Sequence, residues 1–493
     1  MVFDPAILAG LSPELVAFIV GLVERVERLE AENAALKVEN AALRAENAEL
    51  KRRLGMNSSN SSKPPSTDTK SNSRPERRVG SAKKRGKSDR KGTNRNDFGP
   101  PDLPHVPVRA EACPDCDGAL AGEGVFYDRR QVAELVDKPF VVTEFEFYRR
   151  FCPCCAKWVE APTPEGTLPG FCLGPRMVAF IGVLDHFGNV TQNKVATILQ
   201  EGFNLPICEG TLDNAKHWMH SALAAPVAEL QEALPKVEHA HIDETGWRID
   251  GAKYCLWAIA TLQISFLYVA ATKGANVLVK LLGKAFNGLI SCDFAPAYRA
   301  ADGVGGERSF CWSHLDREAK GIIDNGSGDA ADFGRDIRYI VHWGYIHWRG
   351  LMRGRITERV FQLLGERHKS ITRDMLEFYN GKLLGDKKAN ALHKRLGEHL
   401  DGYFNWYRYP GVEPDNNSAE RTIRPSVINR KVSGGNRSQW GAELTSYMQT
   451  VIGTCRKQGM NVMDSLQAYL LAFAHPGRTY PSLVPSDMAG PPR

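Results

Sequence analysis

Val237-Glu-His-Ala-His-Ile-Asp-Glu-Thr-Gly-Trp-Arg-Ile249 begins apolar, has the alternation of a strand, and carries a carboxylate partway along. Successive side chains of a strand point to opposite faces. Asp243 therefore shares a face with His239, His241 and Thr245, Glu244 points the other way, and only one of the two acids can enter a given site. The following run, Tyr254 to Thr272, is β-branched and aromatic but interrupted by Thr261, Gln263 and Ser265, so it reads as two core strands rather than a membrane helix. A helical pattern from Ala275 to Phe286 then leads to a further strand, Gly288-Leu-Ile-Ser-Cys-Asp293, which ends on another acid. Two strands thus each deliver an aspartate. Far downstream, Asp415-Asn-Asn-Ser-Ala-Glu-Arg-Thr-Ile-Arg424 opens like a helix, with Asp415, Asn416 or Asn417 as N-cap and Glu420 in its first turns.

Three carboxylates on separate elements suit a pair of Mg²⁺ ions, because hard cations take oxygen ligands and Mg²⁺ accepts only a few from protein. Two such ions roughly 4 Å apart activate a water and stabilise the leaving oxygen of an in-line phosphodiester displacement. Any one of these acids alone is more often a surface or ion-pair residue. Their joint placement favours chemistry.

The segments His241-Ile-Asp-Glu-Thr-Gly-Trp247, Cys292-Asp-Phe-Ala-Pro-Ala-Tyr298, Cys311-Trp-Ser-His314 and Asn416-Asn-Ser-Ala-Glu-Arg-Thr-Ile-Arg-Pro425 closely resemble those of the insertion sequence 66 family of bacterial transposases. The resemblance covers nearly the whole chain. It implies an RNase H-like catalytic core with an Asp-Asp-Glu triad, which falls on Asp243, Asp293 and Glu420. It also implies an auxiliary role for His314, at the start of a helix, against which a structural histidine stands as the plain alternative. Arg424 lies four positions after Glu420, on the same helical face, where it would brace the carboxylate or clamp a phosphate.

At 493 residues and 43% hydrophobic content the chain has room for several domains with real cores. No Lys or Arg precedes Arg25 and the apolar run Leu15 to Val23 is short, so neither a secretory signal nor a membrane span is expected. Eleven cysteines without an export signal point to a reducing, cytoplasmic setting. The net charge is +6, but Lys63 to Asp97 alone holds 12 Lys/Arg against 4 Asp/Glu, a local +8. The basic character is concentrated in one tether.

In chain order, residues 1–55 carry a heptad pattern. Leu22, Leu29, Leu36, Leu43 and Leu50 occupy d, while Ile19, Val26, Asn33, Asn40, Asn47 and Leu54 occupy a. Leucine at d with Asn at a specifies a parallel pair, and Glu32 with Lys37, Glu39 with Arg44 and Glu46 with Lys51 supply opposite charges between chains. A homodimer or higher assembly is expected. Residues 56–100 read as a disordered basic linker in which Lys83, Lys84 and Arg85 would meet DNA phosphates. If all eight net charges docked, the salt slope would be about −7.

Residues 101–165 carry Cys113-Pro-Asp-Cys116 and Cys152-Pro-Cys-Cys155, the thiolate set of a structural Zn²⁺, with Cys154 as a spare. The 35 residues between the knuckles exceed the usual interval and read as strands from Gly124 to Val136 and Phe140 to Phe151, an extended hairpin on a zinc ribbon. Residues 170–235 are helical, and Val190 to Leu199 followed by Glu209 to Trp218 has a helix-turn-helix-like pattern with Thr191 and Thr211 as caps. The catalytic domain would span 236–475 with a helical insertion at about 317–409, followed by a Pro-rich tail, 476–493. Arg421, Arg430 and Lys431 near Glu420 are further DNA-binding candidates.

The fold expected is thus multidomain α/β: an RNase H-like core with a helical insertion, a zinc ribbon and an amino-terminal coiled coil. The function expected is metal-dependent transposition on double-stranded DNA, at element ends and target, with two catalytic Mg²⁺ and one structural Zn²⁺. Resemblance also implies small accessory transposition proteins. A DNA-binding regulator with an idle triad and a nuclease that cuts without joining are the alternatives.

Overall fold

The computed structural model describes residues 139–488, apart from 155, 156, 300–303, 384 and 487, together with Asp117 and isolated helical positions between Gly21 and Glu46. The linker 56–100, Cys113, Cys116, Cys155 and the strand expected at Gly124 to Val136 lie outside the described residues. The described amino-terminal positions are helical and exposed, Leu43 at 51%.

The protein is a mixed α/β structure. A two-stranded antiparallel hairpin comes first, β1 (Arg149–Cys152) and β2 (Lys157–Glu160). Of the longer strand expected over Phe140 to Phe151 only 149–151 are strand, extended by Cys152, since 141–148 carry no strand. Aromatic and β-branched content suits a pleated surface, but a strand also needs a partner, and β2 pairs only with 149–152.

Three helices follow: α1 (Pro175–His186), α2 (Gln192–Thr197) and α3 (Glu209–Ala233). Thr191 stands at the N-cap of α2 as its residue type predicts, and the chain leaves α2 through a π-helical turn, Ile198–Gly202. The second helix of the expected helix-turn-helix begins at Glu209, two residues before the cap assigned to Thr211. Cys208 is its N-cap, and the Thr211 hydroxyl lies 3.3 Å from the Cys208 sulfur instead of capping the backbone.

The central sheet contains β3 (His239–Ile249), β4 (Ala252–Ala260), β5 (Ser265–Ala270), β6 (Leu289–Cys292) and β7 (Glu307–Phe310). Its order is β5-β4-β3-β6-β7. The first three strands in sequence are antiparallel neighbours, and β6 and β7 run parallel to β3. Asp250 and Gly251 join β3 to β4 with φ of 46° and 78°. Two left-handed residues match the twist of a hairpin, and Asp-Gly is the pair that adopts them most readily. Short helices α4 (Ala275–Leu282) and α5 (Pro296–Arg299) make the crossovers.

Burial separates the two faces of the sheet. Trp247 and Ile249 of β3 pack with Leu256, Ala258, Leu267, Val269, Ile423 and Ala442, whereas Ala240, Ile242, Trp257 and Ile259 join the main core on the other side. After β7 come α6 (Trp312–Asn325), α7 (Asp329–Met352), α8 (Glu358–Tyr379), α9 (Lys387–Glu398) and α10 (Leu400–Phe404). Trp312, Phe333, Phe361 and Trp406 are buried among them, and the Trp312 indole donates to the Tyr403 carbonyl at 2.6 Å. Gly344 of α7 sits against Trp312, where a β-carbon would come within 2.1 Å of the ring. Among the aromatics of these helices, Tyr379, Tyr403 and Trp406 are core, whereas Trp343 and Phe378 are exposed. The chain then returns to the sheet with α11 (Asn417–Ser433), α12 (Gln439–Lys457) and α13 (Val462–Ala474). No helix among the described residues is long and apolar enough to cross a membrane.

Candidate active site

Strands β3 and β6 pair in parallel at a constant offset, His239 with Leu289, Ala240 with Ile290 and His241 with Ser291. The same offset carried on by one pleat sets Asp243 beside Asp293, just past the end of β6. The His239 ring bonds the Ser291 hydroxyl at 2.9 Å, and the His239 and His241 rings are 4.5 Å apart, so this column of side chains shares one face. Asp243 accepts the amide of Glu244 at 2.9 Å and Asp293 accepts that of Ala295 at 2.9 Å, each using one oxygen to fix its own backbone.

Helix α11 delivers Glu420 to the same end of the sheet, and β3 holds that helix at both ends. At its start, the buried Asn416 amide donates to the Ile242 carbonyl at 2.7 Å, and its oxygen accepts from His241 Nδ1 at 3.2 Å. The Asn416 backbone N–H reaches the Cys311 sulfur at 3.1 Å. Beyond its end, Asn436 accepts the Trp247 indole N–H at 2.9 Å and the Asp250 amide at 2.9 Å. Asn416, read from sequence only as a cap, makes no side-chain cap bond and is instead a clip between helix and strand.

The Asp243 carboxyl is pushed up to about 7, by burial first and then by the charges of Glu244 and Asp293, with Glu420 adding to them. Burial pushes the neutral forms of His239 and His241 to prevail, lowering them to about 4 and about 3. Glu420 faces two side chains from α6: His314, its Nε2 at 3.9 Å, and the Arg317 guanidinium at 4.0 Å. Nδ1 of His314 is buried without a hydrogen-bond partner. Arg317 carried no motif, but its spacing of three from His314 on a helix places both on one face.

Among the described residues, no three His, Cys, Asp or Glu side chains are gathered tightly enough to hold an ion between them. The donor set still fits a hard cation: all oxygen, in a buried setting where burial first and neighbouring acids second raise the Asp243 carboxyl.

The remaining candidates are spread more widely. Arg421 pairs with Glu413 at 3.4 Å, and Arg424 and Lys431 are exposed. The Arg430 guanidinium lies 5.8 Å from the centre of the Trp247 ring and donates to the Gly246 carbonyl. Cys152 ends β1 and Cys154 is exposed in the turn before β2. Lys83, Lys84, Arg85, Cys113, Cys116 and Cys155 lie outside the described residues.

A family model described as Transposase IS66 family matches residues 170–444, more than half of the chain and every element around the three acids. The chain belongs to the IS66 transposase family. Residues 21–98 match a separate family of unknown function, DUF6444. Two uncharacterized proteins of Sinorhizobium fredii are similar. One, y4qI, is 27% identical over 43% of this chain and 41% of its own length, and the other, y4hP, is 24% identical over 76% of this chain and 72% of its own. The chain thus spans less than half of the first of these relatives and nearly three quarters of the second. Family membership supports a role in nucleic-acid processing by transposition, and the acids at the end of the central sheet fall inside the matched segment.

Proposed function

We propose that this chain cuts the DNA ends of an insertion sequence and joins the freed 3′-hydroxyls to target DNA, with Asp243, Asp293 and Glu420 as its catalytic carboxylates in an RNase H-like core. The observation that carries the reading is the parallel register of β3 and β6, which sets the two aspartates side by side under the helix bearing Glu420. Three antiparallel strands extended by two parallel ones, with a helical insertion before the last acid, support the same core.

The three carboxylates would hold two Mg²⁺, whose charge would offset the burial and the neighbouring acids that keep the Asp243 carboxyl high. When bound, these ions supply activation of the attacking oxygen and charge stabilisation at the leaving oxygen. Water attacks phosphorus, the bond to the 3′-oxygen breaks, and that oxygen leaves as a 3′-hydroxyl. In the second step the 3′-hydroxyl attacks a target phosphodiester, so one such bond forms as another breaks and no external energy is needed. His314 and Arg317 aim the Glu420 carboxylate, and neutral His239 and His241 form the wall behind Asp243. Nothing in this scheme requires a covalent protein intermediate.

Outside the core, Cys113, Cys116, Cys152 and Cys155 hold a structural Zn²⁺ that stabilises a small ribbon. The exposed thiol of Cys154 and the Cys152 thiol at the mouth of the β1-β2 hairpin support that reading. The amino-terminal heptads pair two chains, and Lys83, Lys84 and Arg85, with Arg421, Arg430 and Lys431, bind the DNA backbone.

The test is a strand-transfer assay with purified protein, Mg²⁺ and DNA carrying the ends that flank the gene. Cleaved and joined products are expected from the wild type, and neither from Asp243→Asn, which should keep DNA binding. A fully active Asp243→Asn chain would remove the triad, and cutting without joining would make the protein a nuclease.

A further inference from the structure

Beside the acids lies a hollow of about 560 Å³ whose lining includes Arg248, Lys253, Lys273 and Arg430 with Trp247 and Tyr254, and no carboxylate. It forms where the sheet gives out. The last pair between β4 and β5 is Cys255 with Ala270, whereas β4 begins at Ala252, so three residues of β4 run past the end of their neighbour. The chain leaving β5 passes Ala271, Thr272 and Lys273 along the same notch. Trp247 pairs with Tyr254 and Arg248 with Lys253 across the two strands, so the aromatic pair lies on the Asp243 face and the cationic pair on the Glu244 face, and both reach the rim of the hollow where the sheet ends.

Two contacts connect the notch to the site. Lys273 Nζ lies 3.6 Å from Glu244, the residue adjoining Asp243. The Cys255 thiol, at the floor of the notch, is pushed up to about 12 by burial and then by the charge of Glu244, with Asp243 contributing. From Asp243 to Gly246 along β3 is about 10 Å at ~3.3 Å per residue, a distance that a few nucleotides span. Arg430 is already engaged with the Gly246 carbonyl and the Trp247 ring, and forms a wall. Arg248, Lys253 and Lys273 are exposed.

A hollow lined by four cations, of which Lys273 also faces Glu244, attracts a polyanion, and an aromatic face beside them accepts a sugar or base. Resting on the transposase reading above, we propose that this notch seats the DNA strand next to the reacting phosphodiester, with Arg248, Lys253 and Lys273 on its phosphates and Tyr254 against a sugar or base. The competing view is that charges on a free strand edge only guard against edge-to-edge pairing.

The experiment measures equilibrium binding of the full chain to an end duplex with a short single-stranded extension at the cleavage position, without Mg²⁺, across a salt series. Each lost phosphate contact lowers the salt slope by about one. The Arg248→Gln/Lys253→Gln double variant should lower it by about two and weaken binding roughly tenfold or more at low salt. Lys253→Arg should keep the wild-type slope. Tyr254→Ala should weaken binding of the extended duplex while leaving the slope unchanged. A double replacement on α9, Lys387→Gln/Lys394→Gln, serves as the control and should change nothing. A wild type that binds and cuts, beside an Arg248→Gln/Lys253→Gln chain of unchanged slope and affinity, overturns the notch alone. A wild type that binds no DNA overturns both the notch and the reading on which it rests.

Discussion

The two faces of β3 carry adjacent acids with opposite surroundings. On one face Asp243 meets other carboxylates, Asp293 and Glu420, and its recorded hydrogen bond is to the backbone of the next residue. On the other, Glu244 receives the Tyr298 hydroxyl and has Lys273 at 3.6 Å, although burial still raises its carboxyl. Compensated charge marks a residue that serves the fold. Acids gathered around Asp243, whose carboxyl they and burial raise, mark a place suited to a cation or a reacting phosphate.

The strongest way to break this contrast is to neutralise each acid in turn. Asp243→Asn should lower the rate of DNA end cleavage by roughly 10³-fold or more, the equivalent of the several kcal/mol of charge stabilisation at stake. Glu244→Gln should cost less than about tenfold in the same assay. Equal losses would erase the distinction between the faces.

The next largest effect belongs to the clip that joins them. Asn416→Ala leaves the Ile242 carbonyl and the His241 ring without their partner, at a cost of about 1–3 kcal/mol in urea denaturation. Cleavage should fall further than that stability loss accounts for, because Glu420 is no longer held. Activity at the wild-type level in a correctly folded variant would detach Asn416 from the site.

A third comparison lies in the helical insert, where His368 sits buried with its Nδ1 3.0 Å from the Tyr407 hydroxyl. Burial, aided by His347, lowers it to about 4. A histidine lowered in the fold stabilises fully above its unfolded value near 6.5, and the contribution is lost as pH falls from there toward 4. Roughly 3 kcal/mol of stability should disappear across that window, and His368→Asn should flatten the slope. Parallel curves for wild type and variant would contradict the assignment. Smallest of all, Arg317→Gln should slow cleavage a few-fold and shift its pH profile, whereas Arg317→Lys should restore most of the rate. A profile that does not move would make Arg317 a surface charge.

The two aspartates were readable because period-two patterning marks a strand without reference to the rest of the chain, Asp243 lying partway along β3 and Asp293 just past the end of β6. The division of Tyr254 to Thr272 into two strands followed from the polar residues at its centre, and β4 and β5 occupy its halves. What local pattern cannot hold is a bond across 174 positions, and so Asn416 was read as a cap rather than as the partner of Ile242. Arg317 and the notch at the end of β5 depend on the same long-range assembly. The start of α3 was missed for a different reason. Threonine is a common cap, but Glu209 and Gly210 already fall in the helix, and Cys208 takes the position. Asp250-Gly251 was a signal left unused, since that dipeptide between strands fixes where β3 must turn.

The Cys311 sulfur accepts the Asn416 amide at 3.1 Å, and the Trp312 amide donates to the Pro414 carbonyl at 3.0 Å. Roughly a hundred residues of helix therefore leave and re-enter the sheet domain through one stitched doorway. Such a module can be lengthened, exchanged or cut open at its far tip without the doorway widening. The third carboxylate, waiting one helical turn inside, need not register what was done beyond it.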